Sequence, residues 1–276
     1  MRRMLVLVAL LGLVANTALS APPDARGANE LITQQKQSQE NPIVPKPPLG
    51  SMVSIPAGEF MMGSQDGDAD ERPAHKVTVD GFSIDVYEVT VGEYGDFLRS
   101  GGGHVPPDWN KMNQMKYHKR PVMGVDWADA AAYCKSVGKR LPTEAEWEKA
   151  ARGTDGRVYP WGNDPPSSLH ANYGKYGTND LEALSPVGSL EKGKSIYGVY
   201  DMAGNVWEWV SDWYDTDYYT SSPPQNPEGL PTGGFKVIRG GAWNSSAKNL
   251  RSSDRYWDPP SFRSLYLPGF RCVKRP

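Results

Sequence analysis

Two carboxylates stand seven residues apart in the segment Tyr200-Asp201-Met202-Ala203-Gly204-Asn205-Val206-Trp207-Glu208-Trp209. Carboxylates are acceptor-only oxygen donors, the ligand type that a hard cation such as calcium takes. Gly204 lets the backbone curl, so that carbonyls between the two acids turn toward the same ion. The competing reading is a plain turn followed by an aromatic strand, Val206-Trp207-Glu208-Trp209-Val210. A second acidic run, Ser64-Gln65-Asp66-Gly67-Asp68-Ala69-Asp70-Glu71, superficially resembles an EF-hand loop. It lacks the sixth-position glycine and has Val77 where the twelfth-position glutamate belongs, which rules that motif out.

The chain that must position these groups has 276 residues and a net charge of −2. No basic stripe marks a nucleic-acid partner. Arg2 and Arg3 precede an apolar run over residues 4–15, with small residues at Ala18-Leu19-Ser20. That is the layout of a signal peptide, 1–20, and the run is too short to span a bilayer. Residues 21–50, rich in Pro, Gln, Asn and Ala, read as a disordered linker. The remainder, 51–276, is long enough for one domain with a substantial core, expected to act outside the cytoplasm as a monomer. Cys134 and Cys272 are the only cysteines. In an oxidising compartment an even pair suggests a disulfide, with two buried free thiols as the alternative. Such a bridge contributes about 4–5 kcal/mol in the chain-entropy account.

Residues 52–63 read as two short strands about a Pro-Ala-Gly turn, followed by strands near 76–79 and 82–86. Thr90 and Glu93 form a capping box that opens a helix ending near Arg99. Asp126 caps a second helix over 127–137, stopped by Gly138. Thr143 and Glu146 open a third over 144–152, stopped by Gly153. Beyond Gly153, glycine, proline and aromatics dominate, with short strands expected near 198–201, 206–210 and 236–239. The fold class is α+β, helical in its first half and irregular in its second.

Seven segments in order carry a resemblance: Ile55-Pro56-Ala57-Gly58-Glu59-Phe60 with Met62-Gly63-Ser64, Tyr87-Glu88-Val89-Thr90, the run 138–148, Tyr159-Pro160-Trp161-Gly162, Gly204-Asn205-Val206-Trp207-Glu208-Trp209, Arg239-Gly240-Gly241 and Gly269-Phe270-Arg271. Together they resemble the formylglycine-generating enzyme, or sulfatase-modifying factor, family across 51–276. The resemblance implies a C-type-lectin-related fold with little regular secondary structure and bound calcium. One calcium would fall on the side chains of Asp201 and Glu208 and the carbonyls of Gly204 and Val206. A second would fall on Asn172 and Tyr173 with an acid from Asp180 and Glu182. Cys134 and Cys272 match one family disulfide, while Ala151 and Arg255 stand where both halves of another would be.

The family's oxidase chemistry needs two thiolates for copper(I), a soft ion that takes soft ligands. Ser245 and Leu250 stand at those positions, Ala242 replaces a serine, and Leu267 replaces an asparagine; of the pocket wall, only Trp207 is kept. Copper is therefore not expected. His75, His104, His118 and His170 lack the spacing of the family's iron-binding branch. Two functions remain. One is a binding or accessory module presenting Trp207, Trp243, Asn244, Ser245, Arg251, Arg255 and Tyr256 to a secreted peptide, glycan or protein. The other is an oxidoreductase acting on a secreted peptide or metabolite by altered chemistry, as family members in siderophore maturation do without the cysteine pair.

Overall fold

The computed structural model describes residues 45–177, 181–261 and 268–275. The expected signal peptide and nearly all of the expected linker lie outside these. The folded unit starts at Lys46, a few residues before the expected boundary at 51. Lys46 donates to the Gly188 carbonyl, and the Tyr87 hydroxyl donates to the Pro47 carbonyl at 3.1 Å.

Three small antiparallel sheets carry the strands. β1 (Met52–Ile55) pairs with β4 (Phe82–Asp85), and β4 in turn pairs with β8 (Val273–Lys274). β2 (Gly58–Met62) pairs with β3 (His75–Val79). β5 (Glu208–Trp213), β6 (Lys236–Arg239) and β7 (Tyr256–Asp258) form the third sheet in that order. The strands expected on either side of Pro56-Ala57-Gly58 exist, but they belong to different sheets. Lys149 holds the turn between them, its ammonium donating to the Pro56 and Gly58 carbonyls at 2.8 Å each. The strand expected near 198–201 does not form, while β7 and β8 are additions to the sequence reading.

The helices follow their caps. α1 (Val91–Arg99) starts where the Glu93 N–H donates to Thr90 Oγ1 and the Thr90 N–H donates to Glu93 Oε2. A single turn, α2 (Trp109–Met112), follows. α3 (Trp127–Ser136) starts with the Asp129 N–H donating to Asp126 Oδ1 at 2.8 Å. α4 (Glu144–Arg152) has the second capping box, Thr143 with Glu146, and every residue in it is buried. Cys134 on α3 and Cys272 beside β8 form the disulfide, 138 residues apart in sequence.

A buried helix with three glutamates, a lysine and an arginine requires partners, because an unpaired buried charge costs several kcal/mol. Glu148 accepts from Arg239 at 2.6 Å and from Arg152 at 2.7 Å. Glu144 accepts from Arg239 at 3.2 Å and from both Nε and Nη2 of Arg255, at 2.8 and 3.0 Å. The Arg255 guanidinium also lies over the Tyr219 ring at 4.2 Å. These pairs join α4 to β6 and to the segment leading into β7. Trp147, on the same helix, fills the space between the sheets and is fully buried.

Two measurements test this network. Arg239→Met strips a guanidinium from two buried carboxylates and should cost about 3–5 kcal/mol in urea denaturation; a loss under about 1 kcal/mol would show that the network is not structural. Asp212, buried on β5, has its carboxyl pushed up to about 7, by burial first and then by the Glu144 charge. The fold thus favours the protonated form, so this contribution is full below the unfolded value and is lost as pH rises toward 7. Asp212→Asn should flatten the stability–pH curve between about pH 4 and 7. An unchanged curve would show that Asp212 does not titrate there.

Candidate functional site

The Asp201–Glu208 segment curls because three of its residues have left-handed backbone: Asp201 at φ 56°, Gly204 at 80° and Asn205 at 66°. At Gly204 a Cβ would meet the Asn172 carbonyl oxygen at 2.5 Å, so only glycine fits. Asn205 is the buried pin of the loop. Its N–H donates to the Asn172 carbonyl at 2.8 Å and its Nδ2 donates to Glu88 at 2.8 Å, while Oδ1 accepts from the Ser185 N–H at 3.0 Å.

Around this loop Glu88, Asp201 and Glu208 face one guanidinium, Arg271. Both Glu208 oxygens accept from Arg271 at 2.7 Å, and Oε2 also accepts from the Trp147 indole at 3.0 Å. Asp201 Oδ2 accepts from the Gly188 N–H at 2.6 Å. Burial pushes the Asp201 carboxyl up to about 6 despite the Gly188 N–H and Arg271, with Glu208 adding to the rise. Burial, then Asp201 and Glu208, hold the Glu88 carboxyl well above the usual carboxylate range. With Glu88 favouring its protonated form, Asp201 and Glu208 still outnumber the one guanidinium at neutral pH, which leaves an excess of negative charge in a low-dielectric place. That excess, with oxygen as the only donor type, fits one divalent hard cation. Among the described residues the three-member groups close enough to share an ion lie elsewhere, at His104/Asp126/Asp129 and at Asp68/Glu71/Asp254. A cation at the Asp201 loop would therefore draw on backbone carbonyls such as those of Gly204 and Val206.

At the second expected cation site the described side chains have partners of their own. Asn172 Nδ2 donates to the Ala183 carbonyl and to Asn205 Oδ1, at 3.0 Å each, and the Tyr173 hydroxyl donates to the Pro166 carbonyl at 2.9 Å. The Lys175 ammonium donates to that same Ala183 carbonyl at 2.6 Å, placing a fixed cation beside Asn172. Glu182 belongs to another group: it accepts from Lys116 at 2.8 Å, Tyr117 at 2.7 Å and Arg120 at 3.0 Å. Asp180 lies outside the described residues.

The two lost thiol positions are packed. Ser245 is buried, its Oγ accepting from the Ala242 N–H at 2.9 Å and its carbonyl accepting from the Gly174 N–H. Leu250 is fully buried with Ala171 and Ala203, against Tyr159, Trp161 and Tyr173. Leu267 lies outside the described residues. The four histidines sit apart, His75 against Tyr219, His104 on Asp129, His118 on Asn113 and His170 stacked on Trp161.

The expected ligand face needs correction. Trp243 is 1% exposed and its N–H donates to the Asn205 carbonyl, so it is core. Arg255 is spent in the Glu144 pair, and Arg251 in a two-pronged pair with Glu71 at 2.6 Å. Asn244 is half-buried. Of the named group, Trp207 and Tyr256 alone come together as an aromatic surface, stacked with centroids 5.4 Å apart. The stack continues through residues the sequence reading passed over: Tyr256 to Trp257 at 6.0 Å, and Trp257 to Phe235 at 4.2 Å. Tyr256, Trp257 and Phe235 are 51%, 38% and 37% exposed. The available signal was Tyr256-Trp257-Asp258 before Pro259-Pro260, an aromatic strand stopped by prolines and thus an edge. Asp258, which ends β7, has its carboxyl pushed up to about 6 by burial.

Low regular secondary structure, three small sheets and a long-range disulfide define a formylglycine-generating-enzyme-like scaffold. Residues 37–276 match the sulfatase-modifying factor enzyme 1-like domain, and the chain belongs to that family. It is 39% identical over 264 residues to the serine/threonine-protein kinase Pkn1 of Chlamydia trachomatis, covering 88% of this chain and 41% of that protein. The chain thus spans about two fifths of the length of that relative. It is 34% identical to the mouse formylglycine-generating enzyme, covering 82% of this chain and 75% of the enzyme. Among solved structures, PvdO from Pseudomonas aeruginosa superimposes with a TM-score of 0.68 at 29% identity, covering 84% of this chain and 100% of PvdO.

Proposed function

We propose that this chain works outside the cytoplasm as a binding or accessory domain, carrying the family scaffold without copper–thiolate chemistry. One observation carries the reading: the ladder Trp207–Tyr256–Trp257–Phe235 is offered to solvent, while the thiol positions hold a hydrogen-bonded serine and a core leucine. Large rigid rings anchor partners at low entropic cost, and exposed aromatics are the usual hot spots of such surfaces. The partner class is a secreted peptide, glycan or protein. Extracytoplasmic action is supported by the disulfide, and among the described residues no helix is long and apolar enough to cross a membrane. An oxidoreductase by altered chemistry has no supporting group at Ser245, whose hydroxyl is bonded to its own turn.

The test is binding to immobilised peptide and glycan arrays. Tyr256→Ser/Trp257→Ser should lower capture about tenfold at an unchanged melting temperature, a loss of 1.4 kcal/mol or more. Equal capture by wild type and variant would sink the reading. So would formylglycine formed in a sulfatase-motif peptide incubated with copper(I) and oxygen.

The same reading includes a structural calcium held by the side chains of Asp201 and Glu208 and the carbonyls of Gly204 and Val206. It would supply the positive charge that Arg271 alone does not. Calcium should raise the melting temperature of the wild type by several degrees, since about 2.7 kcal/mol accrues at a hundredfold excess over Kd. Asp201→Asn should abolish that difference between calcium and chelator. An equal melting temperature of the wild type in both buffers would refute the assignment.

A further inference from the structure

Away from the aromatic ladder, a cleft of about 780 Å³ opens between α3, the Gly138–Leu141 turn and β8. Its size lies within the range of small-molecule sites. Five cations line it, Lys135, Lys139, Arg140, Lys274 and Arg275, against one acid, Glu228. Two of the five are spoken for: Lys139 by Asp85 at 2.6 Å, and Arg140 by both oxygens of Glu146 at 2.7 and 2.6 Å. Arg275 meets Glu228 at 3.5 Å with both side chains more than 60% exposed, a weak and screened contact. Lys135 and Lys274 are exposed and form no ion pair among the described residues.

The floor is of opposite character. Trp127 and Ala131, half-buried, give the cleft an apolar surface, and the buried Leu141 and Val273 back it from the core. Behind it, the Lys236 ammonium lies 4.0 Å from the centre of the Trp127 ring and donates to the carbonyl of Ser211, another lining residue. A positive field thus meets the ligand from the rim and from beneath the floor. A small inorganic anion would leave the tryptophan and aliphatic surface wet. A neutral apolar molecule would leave the lysines without a counter-charge. We propose that this cleft binds a compact amphiphilic organic anion, its apolar body on Trp127 and Ala131 and its carboxylate or phosphate between Lys135, Lys274 and Arg275. The proposal is independent of the aromatic ladder and of any cation at the Asp201 loop.

The test uses the full chain and 1-anilinonaphthalene-8-sulfonate as the fluorescent anionic probe, with its uncharged analogue N-phenyl-1-naphthylamine alongside. Binding of the sulfonate should be saturable and fall with salt, and Lys135→Glu/Lys274→Glu should weaken it about tenfold or more. Both side chains are exposed, so melting temperature should not move. Lys76→Glu/Lys192→Glu, the same charge change elsewhere, and Tyr256→Ser/Trp257→Ser, at the ladder, should each leave binding within about twofold. Competition by 2-naphthoate and by 2-naphthyl phosphate then identifies the preferred headgroup. The proposal is overturned if the cleft variant binds like wild type, if the Lys76/Lys192 or ladder variant loses binding equally, if the uncharged analogue binds as tightly, or if neither naphthyl anion competes.

Discussion

The two buried carboxylates Glu144 and Glu148, one turn apart on α4, constrain nearly everything else. Neither tolerates isolation in a dry interior, so Arg239, Arg255 and Arg152 must arrive together. Arg239 brings β6, Arg255 brings the approach to β7, and Arg152 reaches back to the Gly63 carbonyl at 2.7 Å at the end of β2. Gly63 itself donates its N–H to Glu148 at 2.8 Å, closing the ring. This nine-residue helix thus joins two of the sheets by charge pairing as well as by apolar contact. Charge pairing makes it specific, because a slip of one turn would leave several ions unpaired.

Arg255 gives this arrangement a particular meaning. It occupies a position where the resemblance places a cysteine, whose partner would fall at Ala151 on α4. Here Ala151 is core and Arg255 meets Glu144 on that same helix instead. The join between α4 and the β7 segment is kept, with an ion pair in place of a covalent bond. The remaining disulfide, Cys134–Cys272, closes the larger loop and ties α3 to β8. Chain entropy favours keeping that one, although the dependence on loop length is only logarithmic.

Much of the frame was legible because it rests on local rules. The capping boxes at Thr90/Glu93 and Thr143/Glu146 formed as read, and the ordered motifs fixed the family. What escaped depended on who meets whom across the chain. Pro56-Ala57-Gly58 has the chemistry of a hairpin turn, yet Lys149, 91 residues beyond Gly58, sends the flanking strands into separate sheets. Glu182 is an acid beside a predicted ion site, but Lys116 and Arg120 take it. Arg255 and Trp243 carry types suited to recognition, and burial assigns them to the interior. Residue type was readable there; solvent exposure was not. Ser245 and Leu250, where the resemblance places the copper ligands, are a hydrogen-bonded serine and a packed leucine, which residue type alone did not tell.

Those two positions stand apart from the charged ring. None of the α4 ion pairs involves Ser245 or Leu250, and Leu250 packs in a minor cluster of its own with Ala171 and Ala203. The exposed aromatics relate to the scaffold differently. β7 carries Tyr256 and Trp257 as an edge strand, pairing Val237 with Trp257 and Ile238 with Tyr256, one step beyond the strand that bears Arg239. A rigid, ion-pinned β6 thus holds the rings at fixed spacing, and preorganised rings lose little entropy when a partner docks. The ion pairs that pin β6 thereby make the aromatic edge a firm surface.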